Sequence, residues 1–126
     1  MDAQQIATDA APQPGGAYSQ AIAAGPFVFL AGQGPFLAGS GAKVEGSFAE
    51  QAHQTLRNLA AVAEAAGGSL ADAVRVGVYL RDMGDFSEMN DIYRQYFNNP
   101  LPARTTIQSN LPGFSIEVDA VLYLAR

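Results

Sequence analysis

Residues 47–68, "SFAEQAHQTLRNLAAVAEAAGG", and the stretch that follows at 73–80, "AVRVGVYL", decide how this chain folds. Ser47 with Glu50 three residues on is a capping box, and Gly67-Gly68 is a helix stop. Between them Phe48, Ala52, Leu56, Leu59, Ala63 and Ala66 recur at the spacing of one helix face. In 73–80 the period changes from helical to alternating. Val74, Val76, Val78 and Leu80 fall on one side, with Arg75, Gly77 and Tyr79 on the other, which is the pattern of a strand. An amphipathic helix leading straight into a strand needs a sheet to lie on, and the rest of the chain supplies it.

Upstream, "AYSQAIAA" (17–24), Gly25-Pro26 and "FVFLAGQ" (27–33) read as a hairpin, with Tyr18 in its first strand beside Gln20. Phe27 to Ala31 is apolar on both faces, so both faces of that strand are expected to be covered. Residues 1–16 read as an irregular lead-in. "AGSGAKVEG" (38–46) is a turn-rich link with room for a short extra strand near Val44. Downstream, "GDFSEMNDIYRQYFNN" (84–99) reads as a second helix with Asp85 as N-cap and Glu88 three residues on. Its apolar stripe is Met89, Ile92, Tyr93, Tyr96 and Phe97. "ARTTIQ" (103–108) and "SIEVDAVLYLA" (115–125) are the last two strands. The order is β-β-α-β-α-β-β, a single two-layer α+β domain over 1–126: a mixed sheet of about six strands with two helices on one face. Two helices cover only one sheet face. A second copy of the chain is the simplest cover for the other.

The composition narrows function by exclusion. The chain is 48% hydrophobic and 15% charged. A globular domain usually carries about 25% charged residues, so apolar surface is left for an oligomer to bury. Net charge is −5, and the seven basic residues are scattered with no stripe to follow a phosphate backbone, which argues against nucleic acid. Without cysteine there is no disulfide, thiolate nucleophile or cysteine metal site. No basic-plus-apolar leader and no membrane-length apolar run is visible, so a cytoplasmic location without membrane contact is expected.

Few residues could carry chemistry. On the last strand Ile116, Val118, Ala120, Leu122 and Leu124 point one way, and Glu117, Asp119, Val121 and Tyr123 the other. On the preceding strand Arg104, Thr106 and Gln108 share a face. If Ile107 joins the helix-side core, Arg104 and Thr106 lie on the face of Glu117. The ordinary reading of Arg104 and Glu117 is then an interfacial ion pair. The sharper reading is a site in which the planar guanidinium grips a carboxylate and the glutamate handles a proton or a water. "GQGPFL" lacks the third glycine and the following helix of a dinucleotide fingerprint. His53 is alone in mid-helix and reads as a surface or boundary residue rather than part of a triad or zinc site. Asp82, Asp85 and Glu88 lack the spacing of a calcium loop and read as caps.

The ordered set "IATDAAPQPGGAYSQAI", "FLAGQGP", "QTLRNLAAVAEAAGG", "DFSEMNDIY" and "LPARTTI…IEVDA" resembles the RidA (formerly YjgF) family of reactive imine/enamine deaminases, over nearly the whole chain. The resemblance implies a chorismate-mutase-like fold and a homotrimer with active sites in clefts between subunits. It implies hydrolysis of 2-imino acids and their enamine tautomers, of the 2-aminoacrylate and 2-iminobutyrate type, to 2-oxo acids and ammonia, without metal or cofactor. By position it makes Arg104 the carboxylate anchor and Glu117 the residue that activates water. Tyr18, Gly32, Asn90 and Thr106 would line the cleft. Ala17 stands where proline is usual, Ala31 where serine is usual and Thr106 where some members have cysteine. Thr105 and Asn110 also depart from the usual pattern. These departures bear on substrate preference more than on reaction class. The competing readings are a non-catalytic ligand-sensing trimer using the same cleft, an RNA-cleaving translation inhibitor, and a holdase.

Overall fold

The computed structural model describes residues 2–125; Met1 and Arg126 lie outside it. Strands β1 (Gln4–Ile6), β2 (Ala21–Ala24), β3 (Phe27–Gln33), β4 (Ala73–Leu80), β5 (Ala103–Gln108) and β6 (Ile116–Tyr123) form one sheet in the order β1-β2-β3-β6-β4-β5. All neighbours are antiparallel except β4 and β5. A parallel pair needs a crossover, and helix α2 (Phe86–Tyr93) supplies it. Helix α1 (Phe48–Ala65) connects β3 to β4, and β6 pairs between those two strands. The chain is therefore α+β, a mixed six-stranded sheet with two helices.

The boundaries of α1 follow its sequence signals. Ser47 accepts from the Glu50 backbone amide, and the Glu50 side chain accepts from the Ser47 amide. At the other end Gly67 has φ +90°, and Gly68 N–H donates to Ala63 O (3.1 Å) while Gly67 N–H donates to Glu64 O (3.0 Å). This is a Schellman stop, which only glycine enters without strain. The face of α1 with Ala52, Leu56, Leu59, Val62 and Ala63 is buried on Val28, Leu30, Val118, Ala120 and Leu122 of the central strands. Val76, Val78, Leu80, Met89, Ile92, Tyr93 and Phe97 extend this core under α2.

Four expectations are corrected. The extra strand is β1, inside the supposed lead-in; near Val44 there is only an isolated bridge, Phe36 to Lys43. Residues 8–12 are likewise fixed, because the buried Gln20 side chain accepts from Thr8 N (2.7 Å) and donates to Thr8 O (3.1 Å) and Pro12 O (2.8 Å). Tyr18 precedes β2 in a turn and is exposed. Val74 does not join Val76, Val78 and Leu80 in the core: β4 carries an extra residue between Ala73 and Arg75 opposite β6, and this bulge turns Val74 outward to 46% exposure. Asp85 makes no side-chain cap; Asp82 instead caps a short 3-10 turn by accepting from Gly84 N (2.8 Å).

Candidate active site

Strand pairing fixes the direction of every side chain, and it reverses one parity argument. Directly paired residues point the same way. Arg104 pairs with Val76, and Val76 with Ala120; both partners are buried. Arg104 and Thr106 therefore face the helices. Glu117 pairs with Tyr79, and Tyr79 with Ile107, so Ile107 is on the opposite face with Glu117 and is 47% exposed. Ile107 does not join the helix-side core because the β4 register sets it beside Tyr79, while Arg104 and Thr106 take the inward positions under α2. Arg104 and Glu117 lie on opposite faces of one sheet. Within one chain the two cannot pair, and neither ion pair among the described residues involves Arg104.

The residues separate into two groups. On the open face of the sheet, Tyr18, Gly32 and Glu117 line a cavity of about 430 Å³ that also borders Pro12, Gln20 and Phe114. A bulge in β3 between Leu30 and Gln33 sets Gly32 against Glu117. A Cβ on Gly32 would lie 2.5 Å from Glu117 Oε2, so this glycine leaves the space the carboxylate occupies. Asp119 shares the face, accepting from Gly77 N (3.1 Å) and from the Tyr79 hydroxyl (2.9 Å). Burial, and then the neighbouring Asp119 charge, push the Glu117 carboxyl above its ordinary range. Tyr79 is also raised, chiefly because its phenol donates to Asp119. The Tyr18 hydroxyl accepts from Gly15 N (3.1 Å), which holds the ring over the turn.

The second group is at the α2 end of the other face. Asn90, Tyr93 and Arg104 line a cavity of about 330 Å³ with Arg94, Leu101 and Pro102. The Arg104 guanidinium sits 4.7 Å from the Tyr93 ring centroid and 5.7 Å from that of Phe86, with Nη1 3.9 Å from Met89 Sδ. Phe97 stacks on Tyr93 at 4.3 Å. An arginine on aromatic faces and a thioether, with no carboxylate paired to it among the described residues, retains its bidentate fork for an anion from outside. The buried Thr106 hydroxyl has no hydrogen-bond partner among the described residues, and that of Tyr93 has only the approach of the Arg104 guanidinium. Burial raises Tyr93, and Arg104 opposes that shift, by its charge first and then by donating toward the hydroxyl.

Several supporting residues escaped the sequence reading. Tyr93 was legible only as helix stripe. Gln51 and Asn58 lie on the buried side of α1 at i and i+7, two amides among apolar neighbours, and that is the signal they gave. Asn58 donates to Gly34 O (3.0 Å) and Phe36 O (2.7 Å); Gln51 donates to Val44 O (2.9 Å) and accepts from Ser115 N (2.9 Å). Together they fix both loops around the Glu117 cavity. His53, read as a surface or boundary residue, is at the boundary, with Nδ1 2.7 Å from the Tyr96 hydroxyl. No group of three or more His, Cys, Asp or Glu able to hold a metal is present among the described residues. No helix there is long and apolar enough to cross a membrane.

The chain is similar to known proteins over nearly its whole length. The profile of the Endoribonuclease L-PSP family matches residues 8–124. A RutC family protein of Pyrococcus horikoshii is 48% identical over 94% of this chain and 95% of its own. A 2-iminobutanoate/2-iminopropanoate deaminase of Rattus norvegicus is 41% identical over 92% of this chain and 86% of its own. The crystal structure of RidA from the Antarctic bacterium Psychrobacter sp. superposes with a TM-score of 0.90 at 39% identity, covering 96% of this chain and 99% of that one.

Proposed function

The chain belongs to the Endoribonuclease L-PSP family, the YjgF/RidA proteins, and on that premise we propose that it hydrolyses reactive 2-imino acids to 2-oxo acids and ammonia. The observation that carries the reading is the division of the site. One chain offers a free guanidinium at one place and a half-buried carboxylate at another, on opposite faces of its sheet. A cyclic assembly sets one surface of each subunit against a different surface of the next. A homotrimer of this kind brings Arg104, Asn90 and Thr106 of one chain to Tyr18, Gly32 and Glu117 of its neighbour. It also covers the open apolar face.

The chemistry needs little else. A protonated imine carbon is already electrophilic. Arg104 holds the substrate carboxylate by two parallel hydrogen bonds and fixes the carbon against Glu117. Glu117 accepts a proton from water as the water oxygen bonds to that carbon and the C=N bond becomes single. Glu117 then delivers the proton to nitrogen, and the C–N bond breaks as the carbonyl forms, the hydroxyl proton passing through Glu117 to the departing ammonia. Water is consumed, and one 2-oxo acid and one ammonium leave. The raised Glu117 carboxyl suits a group that must both take up and return a proton.

RNA cleavage is a poorer reading. The chain carries 12 acidic against 7 basic residues, and the Asp119 charge lies near Glu117, an environment that repels a phosphodiester.

The test is the decay of 2-iminobutyrate generated in situ, with and without protein. Arg104→Ala is expected to lower kcat/KM by about 100-fold or more, from loss of charge-assisted hydrogen bonds worth roughly 3 kcal/mol, while the chain remains folded. No acceleration by the unaltered protein, or equal acceleration by Arg104→Ala, removes the deaminase reading and leaves a ligand-sensing trimer.

A further inference from the structure

Beyond the groups that the reaction uses, the Glu117 cavity has a wall with no role in bond making. Phe36 and Phe114 meet there edge to face, with centroids 5.2 Å apart and an interplanar angle of 74°. Both rings are half-buried and border the same cavity as Glu117. A Cβ on Gly34 would lie 2.9 Å from Phe36 Cε2 and 3.4 Å from Phe114 Cε2, so a larger residue there would drive the rings into the cavity. Glycine at 34 keeps the wall back and the cavity deep.

The rings are also held in place, which separates them from loop aromatics that fold over whatever is available. Asn58 binds the carbonyls of Gly34 and Phe36, on either side of the turn that carries the first ring. Lys43 Nζ donates to Gly113 O at 2.7 Å, and Gln51 accepts from Ser115 N, so the second ring is tied on both sides. A rigid aromatic corner next to a carboxylate favours a ligand with a polar reacting end and an apolar remainder.

We propose that Phe36 and Phe114 form a side-chain subsite that selects 2-imino acids bearing bulky apolar side chains, branched aliphatic or aromatic, over the methyl-sized 2-iminopropanoate. This rests on the deaminase reading for its reaction and on the cavity alone for its selectivity. The reacting carbon lies at Glu117 and the side chain projects along the cavity to the aromatic corner. The smallest substrates leave that corner wet.

The experiment compares 4-methyl-2-iminopentanoate with 2-iminopropanoate, each generated by an amino-acid oxidase, the residual imine being trapped by a competing amine. The unaltered protein is expected to show a kcat/KM ratio of about tenfold or more in favour of the larger imine, the range that a few buried methylene groups give. Phe36→Ala and Phe114→Ala are each expected to lower that ratio several-fold. A ratio of one or less in the unaltered protein, or one that neither variant moves, overturns the proposal. The unaltered ratio decides even if a variant fails to fold. If neither imine is turned over, the deaminase reading has failed, and the subsite is decided by calorimetry of 4-methyl-2-oxopentanoate against pyruvate. Tighter binding of the larger acid supports it; equal or weaker binding overturns it.

Discussion

Arg104 is held by aromatic rings rather than by acids. Its guanidinium lies over the Tyr93 ring, and Phe97 backs that ring by stacking on it. A partly desolvated cation on an aromatic face gains about 1–2 kcal/mol, so Tyr93→Leu should raise KM for the imine roughly 5–30-fold with less effect on kcat. Tyr93→Phe keeps the ring and loses only the hydroxyl's contact with Arg104, so its KM should rise less than that of Tyr93→Leu, which steady-state kinetics will show. Glu117 is the second residue whose surroundings set its behaviour. Burial first, and Asp119 second, raise its carboxyl. As a base it works when ionised, so activity rises with pH through its folded pKa. Asp119→Asn removes the smaller cause and should move the acid limb of the kcat/KM profile to lower pH, in part only, since burial persists. The stability sign is opposite. A raised carboxyl binds its proton more tightly folded than unfolded. Its contribution is therefore full below the unfolded pKa and is lost as pH rises through the folded one. Glu117→Gln should consequently melt higher than the unaltered protein at neutral pH, in a thermal scan.

At the scale of the element, the helix and the central strands were legible and the irregular positions were not. The α1 caps and its apolar face are local signals, and they place the helix at Phe48–Ala65. The β6 alternation is equally local, and it sets Glu117 and Asp119 on one face. A bulge is a property of two strands. The extra residues in β3 and β4 arise only in pairing with β6, so the outward turn of Val74 and the seat of Gly32 against Glu117 could not be read from either strand alone. The direction of Arg104 failed for the same reason. Its face depends on the β4 register, Val76 to Arg104, while the argument from Ile107 assumed that the apolar residue of the strand turns inward. The loops rest on α1. Asn58→Ala leaves Gly34 O and Phe36 O without their shared donor and should cost about 2 kcal/mol, or a fall in Tm of roughly 5–10 °C for a chain of this size. It should also blunt activity through the displaced cavity wall, measured beside the melt.

The whole molecule presents a sheet with one face dressed and one bare. Phe29, Val74, Ile107 and Tyr123 are each between 46% and 49% exposed on a single chain, an apolar surface of the kind that proteins bury against partners. The low charge fraction and the doubly apolar strand at 27–31 pointed to such a cover. The same sheet separates the two halves of the candidate site. Whether Arg104 of one chain serves Glu117 of another is testable without a structure of the assembly. Arg104→Ala and Glu117→Gln chains, each inactive alone, are unfolded, mixed in equal amounts and refolded. In a randomly mixed cyclic assembly about a quarter of the shared clefts receive an intact arginine from one parent and an intact glutamate from the other. The account predicts recovery of about that fraction of the unaltered activity on 2-iminobutyrate. A mixed preparation that assembles yet stays as inactive as its parents would contradict it.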